Sequence, residues 1–326
     1  MDKRKVLISR PWKNEDIDEF DENIKKLNDH NLEVTFFPEL RDMLVEDLKK
    51  WTPGMFAHIC GPERYTAEAM DACPGLRIIA RLGAGYDSVD MKAATERKIL
   101  VCNTPLAPSI AVAEFTMLAI ASMARRITWN DTGVRAKKWP RIMGRPWNKK
   151  TLGIIGFGNI GKVTAKFAQG FDMKILAYDK FEDKDYAQKN NITYVSLETL
   201  LKESDYVSIN VFKSSETLNL ISAKEFALMK PTGMIVNTSR GGIVNELDLY
   251  NALKNKVIEF AAIDVFESEP INHDNPLLTL DNIILSAHNA GNSYESISLQ
   301  EKTAVQNVID IVNGIKPKTL LNPEAF

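Results

Sequence analysis

Apolar and polar positions alternate along this chain in short blocks. In the first hundred residues the apolar runs are KVLIS (5–9), LEVTFF (32–37), MFAHIC (55–60), LRIIARLG (76–83) and ILVCN (99–103). Stretches with helical spacing, such as IDEFDENIKKL (17–27), separate them. Short buried runs alternating with amphipathic segments predict βα units built around a parallel sheet. From Ile110 to Ile127 the apolar residues recur at helical spacing, but the segment is too apolar for a surface helix, so part of it should be buried. Trp129 to Trp147 is interrupted by Gly133, Pro140, Gly144 and Pro146 and reads as irregular. The alternation then resumes with TLGIIG (151–156), KILAYD (174–179), YVSIN (206–210), GMIVN (233–237), EFAAID (259–264) and IILSA (283–287). A last helix is predicted from Ser296 to Val312, stopped by Asn313-Gly314 with Pro317 beyond. The fold class is therefore α/β, with two doubly wound parallel-sheet units.

The length of 326 residues suits about two domains. With 44% hydrophobic and 26% charged residues the chain should fold, and a net charge of −2 provides no field toward nucleic acid or membrane. The three cysteines, Cys60, Cys73 and Cys102, are odd in number and widely spaced, which argues against disulfides or zinc and fits a reducing compartment. The start, MDKRKVLISRPW, has no apolar signal core, and the stretch Ile110–Ala124 is short for a bilayer and contains Glu114. The expected location is the cytoplasm, with no metal, no nucleic acid and no membrane. Residues 125–150 carry nine Lys/Arg against one Asp, a stretch that reads as a solvated face or as a source of phosphate contacts from Lys137, Lys138 or Arg141. No groove-reading motif accompanies it.

Gly156-Phe157-Gly158-Asn159-Ile160-Gly161 follows a buried run and opens an amphipathic helix. In that context the first glycine allows the turn, the second lets a pyrophosphate approach, the third lets helix pack on strand, and the helix N-terminus favours phosphate. The next run ends in Asp179, 18 residues beyond Gly161, where a carboxylate can bind both ribose hydroxyls and repel a 2′-phosphate. NAD is favoured over NADP, and Lys180 beside the acid weakens that preference. A second turn, Gly83-Ala84-Gly85, lacks the third glycine, and its following run ends in Asn103. It is a poor dinucleotide site, but its backbone N–H groups could hold a substrate carboxylate; a plain βα turn is the competing reading.

Among four histidines, His30 and His273 lie in polar loops and His58 inside an apolar run, whereas His288 directly follows the run IILSA. Ligands of open α/β sheets bind at the carboxyl ends of strands, and His288 alone has that placement with loop freedom. Arg240 after GMIVNTS and Glu269 after EFAAIDVFES share it. A guanidinium can bind a 2-oxo acid through two parallel hydrogen bonds, an imidazolium can protonate a carbonyl as hydride arrives, and a carboxylate can orient the imidazole.

With these residues the sequence resembles the D-isomer-specific 2-hydroxyacid dehydrogenase family, through LGAGYDSVD (82–90), NTPLAPSIAVAE (103–114), LGIIGFGNIG (152–161), MKPTGMIVNTSRGGIVNE (229–246), AIDVFESEP (262–270) and LSAHNAG (285–291). The resemblance implies a Rossmann nucleotide domain (104–292) inserted into a flavodoxin-like substrate domain (1–103 and 293–326), with a dimerisation helix and arm at 109–150. It places the Arg/Glu/His triad on Arg240, Glu269 and His288, the nicotinamide carboxamide on Asp264, and the substrate carboxylate on Gly83, Ala84 and Gly85. It accounts for clustered Trp129, Trp139 and Trp147 as dimer anchors; cover for the chain's own core is the other reading. The segment CGPERYTAE, with Arg64, resembles phosphoglycerate dehydrogenase-like members and points to 3-phosphoglycerate, with glyoxylate/hydroxypyruvate or D-lactate-type reduction as the alternative. Phe115, Ala287 and Asn210-Val211-Phe212 depart from the common family pattern. An NAD(H)-sensing binding protein is the reading from another functional class.

Overall fold

The computed structural model describes residues 3–9, 19–39 and 43–326. Residues 17 and 18 of the first expected helix lie outside the described residues. The chain divides into two compact units, residues 1–108 with 292–326, and residues 109–291.

The first unit contains β1 (Arg4–Ile8), α1 (Glu19–Asp29), β2 (Leu32–Phe36), α2 (Val45–Trp51), β3 (Met55–Cys60), α3 (Ala67–Asp71), β4 (Ile78–Arg81), α4 (Met91–Glu96) and β5 (Leu100–Cys102). Its five strands are parallel in the order β2-β1-β3-β4-β5, the flavodoxin-like arrangement. The inner strands β3 and β4, buried along nearly their whole length, need largely apolar runs, whereas the edge strand β2 keeps Glu33 exposed.

The second unit follows with α5 (Ala107–Arg125, its first two residues still in the first unit), α6 (Ile127–Arg135), β6 (Thr151–Ile155), α7 (Asn159–Gln169), β7 (Lys174–Tyr178), α8 (Lys184–Lys189), β8 (Ile192–Tyr194), α9 (Leu197–Glu203), β9 (Tyr206–Ile209), α10 (Ala223–Phe226), β10 (Met234–Asn237), α11 (Glu246–Lys254), β11 (Phe260–Ile263) and β12 (Ile283–Leu285). Its parallel sheet runs β12-β11-β10-β9-β6-β7-β8. This is the doubly wound nucleotide-binding order with one strand added, and its order reverses between β6 and β9.

The chain then returns to the first unit as α12 (Tyr294–Val312). Ala304, Val305 and Val308 of α12 join Leu27 of α1 over one face of the first sheet. Gly314, at φ +71°, ends the helix in the left-handed conformation that glycine adopts without a Cβ penalty. The last residues close on β5: Leu321 N–H donates to Val101 O, and the Asn322 side chain bonds Val101 N–H at 2.9 Å and Ile99 O at 2.8 Å.

Three expectations need correction. The apolar helix ends at Arg125, and residues expected to be irregular form α6, because Arg126 takes a left-handed conformation (φ 58°) and turns the chain between two helices. The 19-residue α5 is long and apolar enough to cross a membrane by length and composition, so shortness does not exclude a span; 72% of its apolar window is buried, and Met117, Ile120 and Met123 pack in the unit's own core. Of the three arm tryptophans, Trp129 packs edge-to-face on Phe260 and donates to Asp281 O, and Trp147 packs on Phe171, so both cover the chain's own core; Trp139 is 77% exposed. The arm is pinned by Glu259, which pairs with Arg126 at 2.5 Å and Arg145 at 2.8 Å, so two of the nine basic residues serve structure.

Candidate active site

Strands β10, β11 and β12 are neighbours, so the loops leaving their carboxyl ends lie side by side. Arg240 is on the first, Glu269 on the second and His288 on the third. Sequence positions up to 48 residues apart thus meet at one sheet edge for a topological reason.

His288 Nδ1 and Glu269 Oε2 are 2.7 Å apart. An ionised carboxylate only accepts hydrogen bonds, so Nδ1 carries the proton and donates. Nε2 is left as the nitrogen through which a proton can pass to a ligand. Glu269 Oε1 accepts the Phe266 N–H at 2.9 Å, which fixes the carboxylate from its other side. Burial alone would push the Glu269 carboxyl up. Hydrogen bonds from His288 and Phe266, with the charges of His288 and Arg240, outweigh it and hold the carboxyl below its ordinary value. Both members of the pair remain partly open, with side chains 46% and 38% exposed.

Arg240 sits on a turn organised by buried Asn237, whose Oδ1 accepts the Ser239 N–H and hydroxyl and whose Nδ2 donates to Arg240 O. Arg240 Nη1 donates to Ser239 O at 2.8 Å. A Cβ at Gly241 would overlap Phe266 O, so the first loop presses backbone to backbone on the one that carries Glu269.

Asp264 is only 1% exposed, and its carboxylate faces the His288 loop. Oδ1 accepts Ser286 Oγ–H at 2.5 Å and Asn289 N–H at 2.8 Å, while Oδ2 accepts Ala290 N–H at 2.8 Å. The Asp264 carbonyl accepts the His288 N–H at 2.7 Å. His288 itself is held at φ 49°, a left-handed conformation uncommon outside glycine. These contacts make Asp264 an anchor of the His288 loop, beside the carboxamide contact that the resemblance implies for it. Sequence reading missed this role, although the Asp and the Ser-x-His-Asn-Ala segment were both visible.

The glycine turn has the form expected of it. Gly156 takes φ +91°, its N–H bonds Tyr178 O, and a Cβ there would meet Asn210 O at 2.7 Å. Gly161 presses on Gly156 O, while the space beside Gly158 is open for 4 Å. Gly158 caps α7, whose first residues are Asn159 and Ile160. An anion thus has a clear approach to a helix N-terminus. Asp179 Oδ2 accepts the Phe157 N–H at 2.6 Å and Oδ1 accepts the Phe181 N–H at 2.8 Å. Each carboxylate oxygen can accept a second bond, so the ribose role stays compatible with this anchoring. The donor set, open glycine and acid fit a dinucleotide.

In the first unit, Gly83 takes φ +103° and its N–H bonds Thr104 Oγ1 at 2.7 Å, so it is not available to a carboxylate. Ala84 O accepts Asn103 Nδ2–H at 2.8 Å, which explains the asparagine at that strand end. The N–H groups of Ala84 and Gly85 have no acceptor among the described residues. Arg64, Lys137, Lys138 and Arg141 are all exposed, as a solvated face requires. His58 is fully buried beside Tyr65, and burial with the charge of Arg81 pushes it down to about 3, which removes it as an acid. Among the described residues no cluster of His, Cys, Asp and Glu could hold a metal.

Residues 117–290 match the family model for the NAD-binding domain of D-isomer-specific 2-hydroxyacid dehydrogenases. A glyoxylate reductase of Korarchaeum cryptofilum is 42% identical over 264 residues, 79% of this chain and 80% of that protein. A D-3-phosphoglycerate dehydrogenase of Archaeoglobus fulgidus is 34% identical over 98% of this chain, which spans 59% of that protein. The crystal structure of a D-lactate dehydrogenase from Aquifex aeolicus, in complex with NAD and lactic acid, superposes with a TM-score of 0.84 at 26% identity, covering 98% of this chain and 99% of that one.

Proposed function

The chain belongs to the D-isomer-specific 2-hydroxyacid dehydrogenase family and is an NAD-dependent oxidoreductase acting on the CH–OH group of 2-hydroxy acids; from that premise we propose that it reduces a small unphosphorylated 2-oxo acid of the glyoxylate type. The observation that carries the chemistry is the His288–Glu269 hydrogen bond, with Arg240 on the adjoining loop. Bound NADH supplies the hydride. His288 Nε2 gives the proton to the carbonyl oxygen, Glu269 keeps the imidazole oriented through Nδ1, and Arg240 grips carboxylate and carbonyl together. In the oxidative direction His288 takes the proton back. Gly156, Gly158, Asn159, Ile160 and Gly161 receive the pyrophosphate, and Asp179 the ribose hydroxyls.

Two observations favour the glyoxylate type over 3-phosphoglycerate. The glyoxylate reductase relative is more identical to this chain, at 42%, than the phosphoglycerate dehydrogenase, at 34%. The cations available for a phosphate, Arg64 and those of the arm, are exposed. With NADH, kcat/KM for glyoxylate should exceed that for 3-phosphohydroxypyruvate by at least about tenfold. The reverse ranking, together with a loss of the phosphorylated substrate's KM advantage on substitution of Arg64, would support the phosphoglycerate reading instead.

The exposed apolar residues of the arm fit a second copy of the chain as partner. Ile110, Leu118, Ile127, Val134, Trp139 and Met143 are all more than half exposed, with Met143 at 90%. A homodimer in the cytoplasm is the proposed working state. Sedimentation of the unmodified protein should show a dimer, and Trp139→Ser with Met143→Asp should convert it to a monomer; an unchanged sedimentation coefficient would place the interface elsewhere.

A further inference from the structure

The residue after Asp179 is a lysine, and a specific partner holds it. Lys180 Nζ donates to both carboxylate oxygens of Glu216, at 3.0 and 3.2 Å. Lys180 lies just beyond β7, and Glu216 lies in the loop beyond β9. Those strands flank β6, whose end carries the glycine turn. The ion pair therefore joins the two loops on either side of that turn, at the reversal of strand order where dinucleotides bind.

Both ends of the bridge are set by their own local structure. The Asp179 carboxylate accepts N–H groups from Phe157 and Phe181, which fixes the backbone around Lys180. On the other side the Ser214 N–H bonds Thr217 Oγ1 at 2.8 Å, the Thr217 hydroxyl donates to Phe212 O at 2.6 Å, and the Glu216 N–H bonds Ser214 Oγ at 3.2 Å. Lys162, a second lysine near this edge, is paired with Asp183 at 2.5 Å.

NADP differs from NAD at the ribose position that an acid such as Asp179 addresses, and a nearby cation is what allows a 2′-phosphate there. Lys180 has the right charge and the right place in the chain to be that cation. We infer that Glu216 is a specificity-determining residue, which keeps this enzyme on NAD by holding the Lys180 ammonium away from the 2′-position. Asp179 repels the phosphate, and Glu216 withholds the charge that would offset the repulsion. This rests on the reading of the glycine turn as the cofactor site.

Lys180 and Glu216 are 68% and 70% exposed, so the bridge is weak and its effect is a few-fold one. The test is equilibrium titration of NADH and NADPH against intrinsic tryptophan fluorescence, at low and high salt, for the unmodified protein, Glu216→Gln, Lys180→Gln and the double variant. Glu216→Gln should tighten NADPH binding about three- to fivefold at low salt and move NADH affinity by less than about twofold. The gain should vanish at high salt and in the double variant, because a freed Lys180 is its source. No NADPH gain in Glu216→Gln, or an equal gain in the double variant, would overturn the inference. So would a parallel loss for both cofactors, which would make the bridge a clamp that does not discriminate. Absence of NADH binding by the unmodified protein would defeat the cofactor site itself, a failure distinct from these.

Discussion

Replacement of His288 by glutamine is expected to lower kcat by about a thousandfold while NADH affinity stays close to that of the unmodified enzyme. Glutamine can occupy the same space and still hydrogen-bond Glu269, but its amide cannot release a proton at neutral pH. The loss therefore isolates proton transfer from loop geometry. Steady-state kcat with glyoxylate and fluorescence titration of NADH measure the two quantities separately. Turnover equal to that of the unmodified enzyme would remove His288 from the chemistry. The same pair makes a statement about pH. The Glu269 carboxyl is held below its ordinary value of 4.5, so it is ionised at neutrality. Because its value is depressed in the folded protein, its contribution is present above the unfolded value and is lost as pH falls through the folded one. Acid inactivation that arises from this carboxyl should therefore begin below pH 4.5, the value for a free glutamate.

The sheets were legible in the sequence because the inner strands of a parallel sheet are buried on both faces and must be largely apolar, and eleven apolar-rich runs stand out from their polar surroundings. The remaining strand, β8 (Ile192–Tyr194), is three residues at the sheet edge and leaves too little pattern to see. The triad was legible for a related reason: a histidine, a glutamate and an arginine each stood just past a predicted strand. What the sequence could not show is which strands are neighbours, and that adjacency alone puts Arg240 beside Glu269 and His288. The break at Arg126 was also hidden, since nothing in Ala-Arg-Arg-Ile marks a left-handed residue; its cause is tertiary, in the Glu259 ion pair and the stacking on Phe260 at 3.7 Å. Asp264 shows the limit most plainly. The resemblance assigns this carboxylate to the nicotinamide, and only the fold reveals that its oxygens hold the Ser286 hydroxyl and two backbone amides of the His288 loop.

Asp264→Asn should then lower kcat by roughly tenfold to a hundredfold through His288 rather than through the cofactor. The three donors that converge on the carboxylate, from Ser286, Asn289 and Ala290, require acceptors on both oxygens. Asparagine supplies one oxygen and one NH₂, so in either orientation a donor faces a donor in a site that is 1% exposed. That mismatch costs about 2–3 kcal/mol, as for loss of a hydrogen bond to a charged group, and should lower the melting temperature. Its consequence for activity follows from the chain path: the amides after His288 lose their anchor, and the imbalance falls on a residue already held at φ 49°. Aspartate to glutamate should not rescue, because the longer side chain has no room. The discriminating measurement is the comparison of kcat with the NADH dissociation constant. A fall in kcat at constant NADH affinity identifies a positioning residue. A fall in NADH affinity that matches the fall in kcat would return Asp264 to the nicotinamide contact implied by the family resemblance, and an unchanged kcat would leave the loop anchored without it.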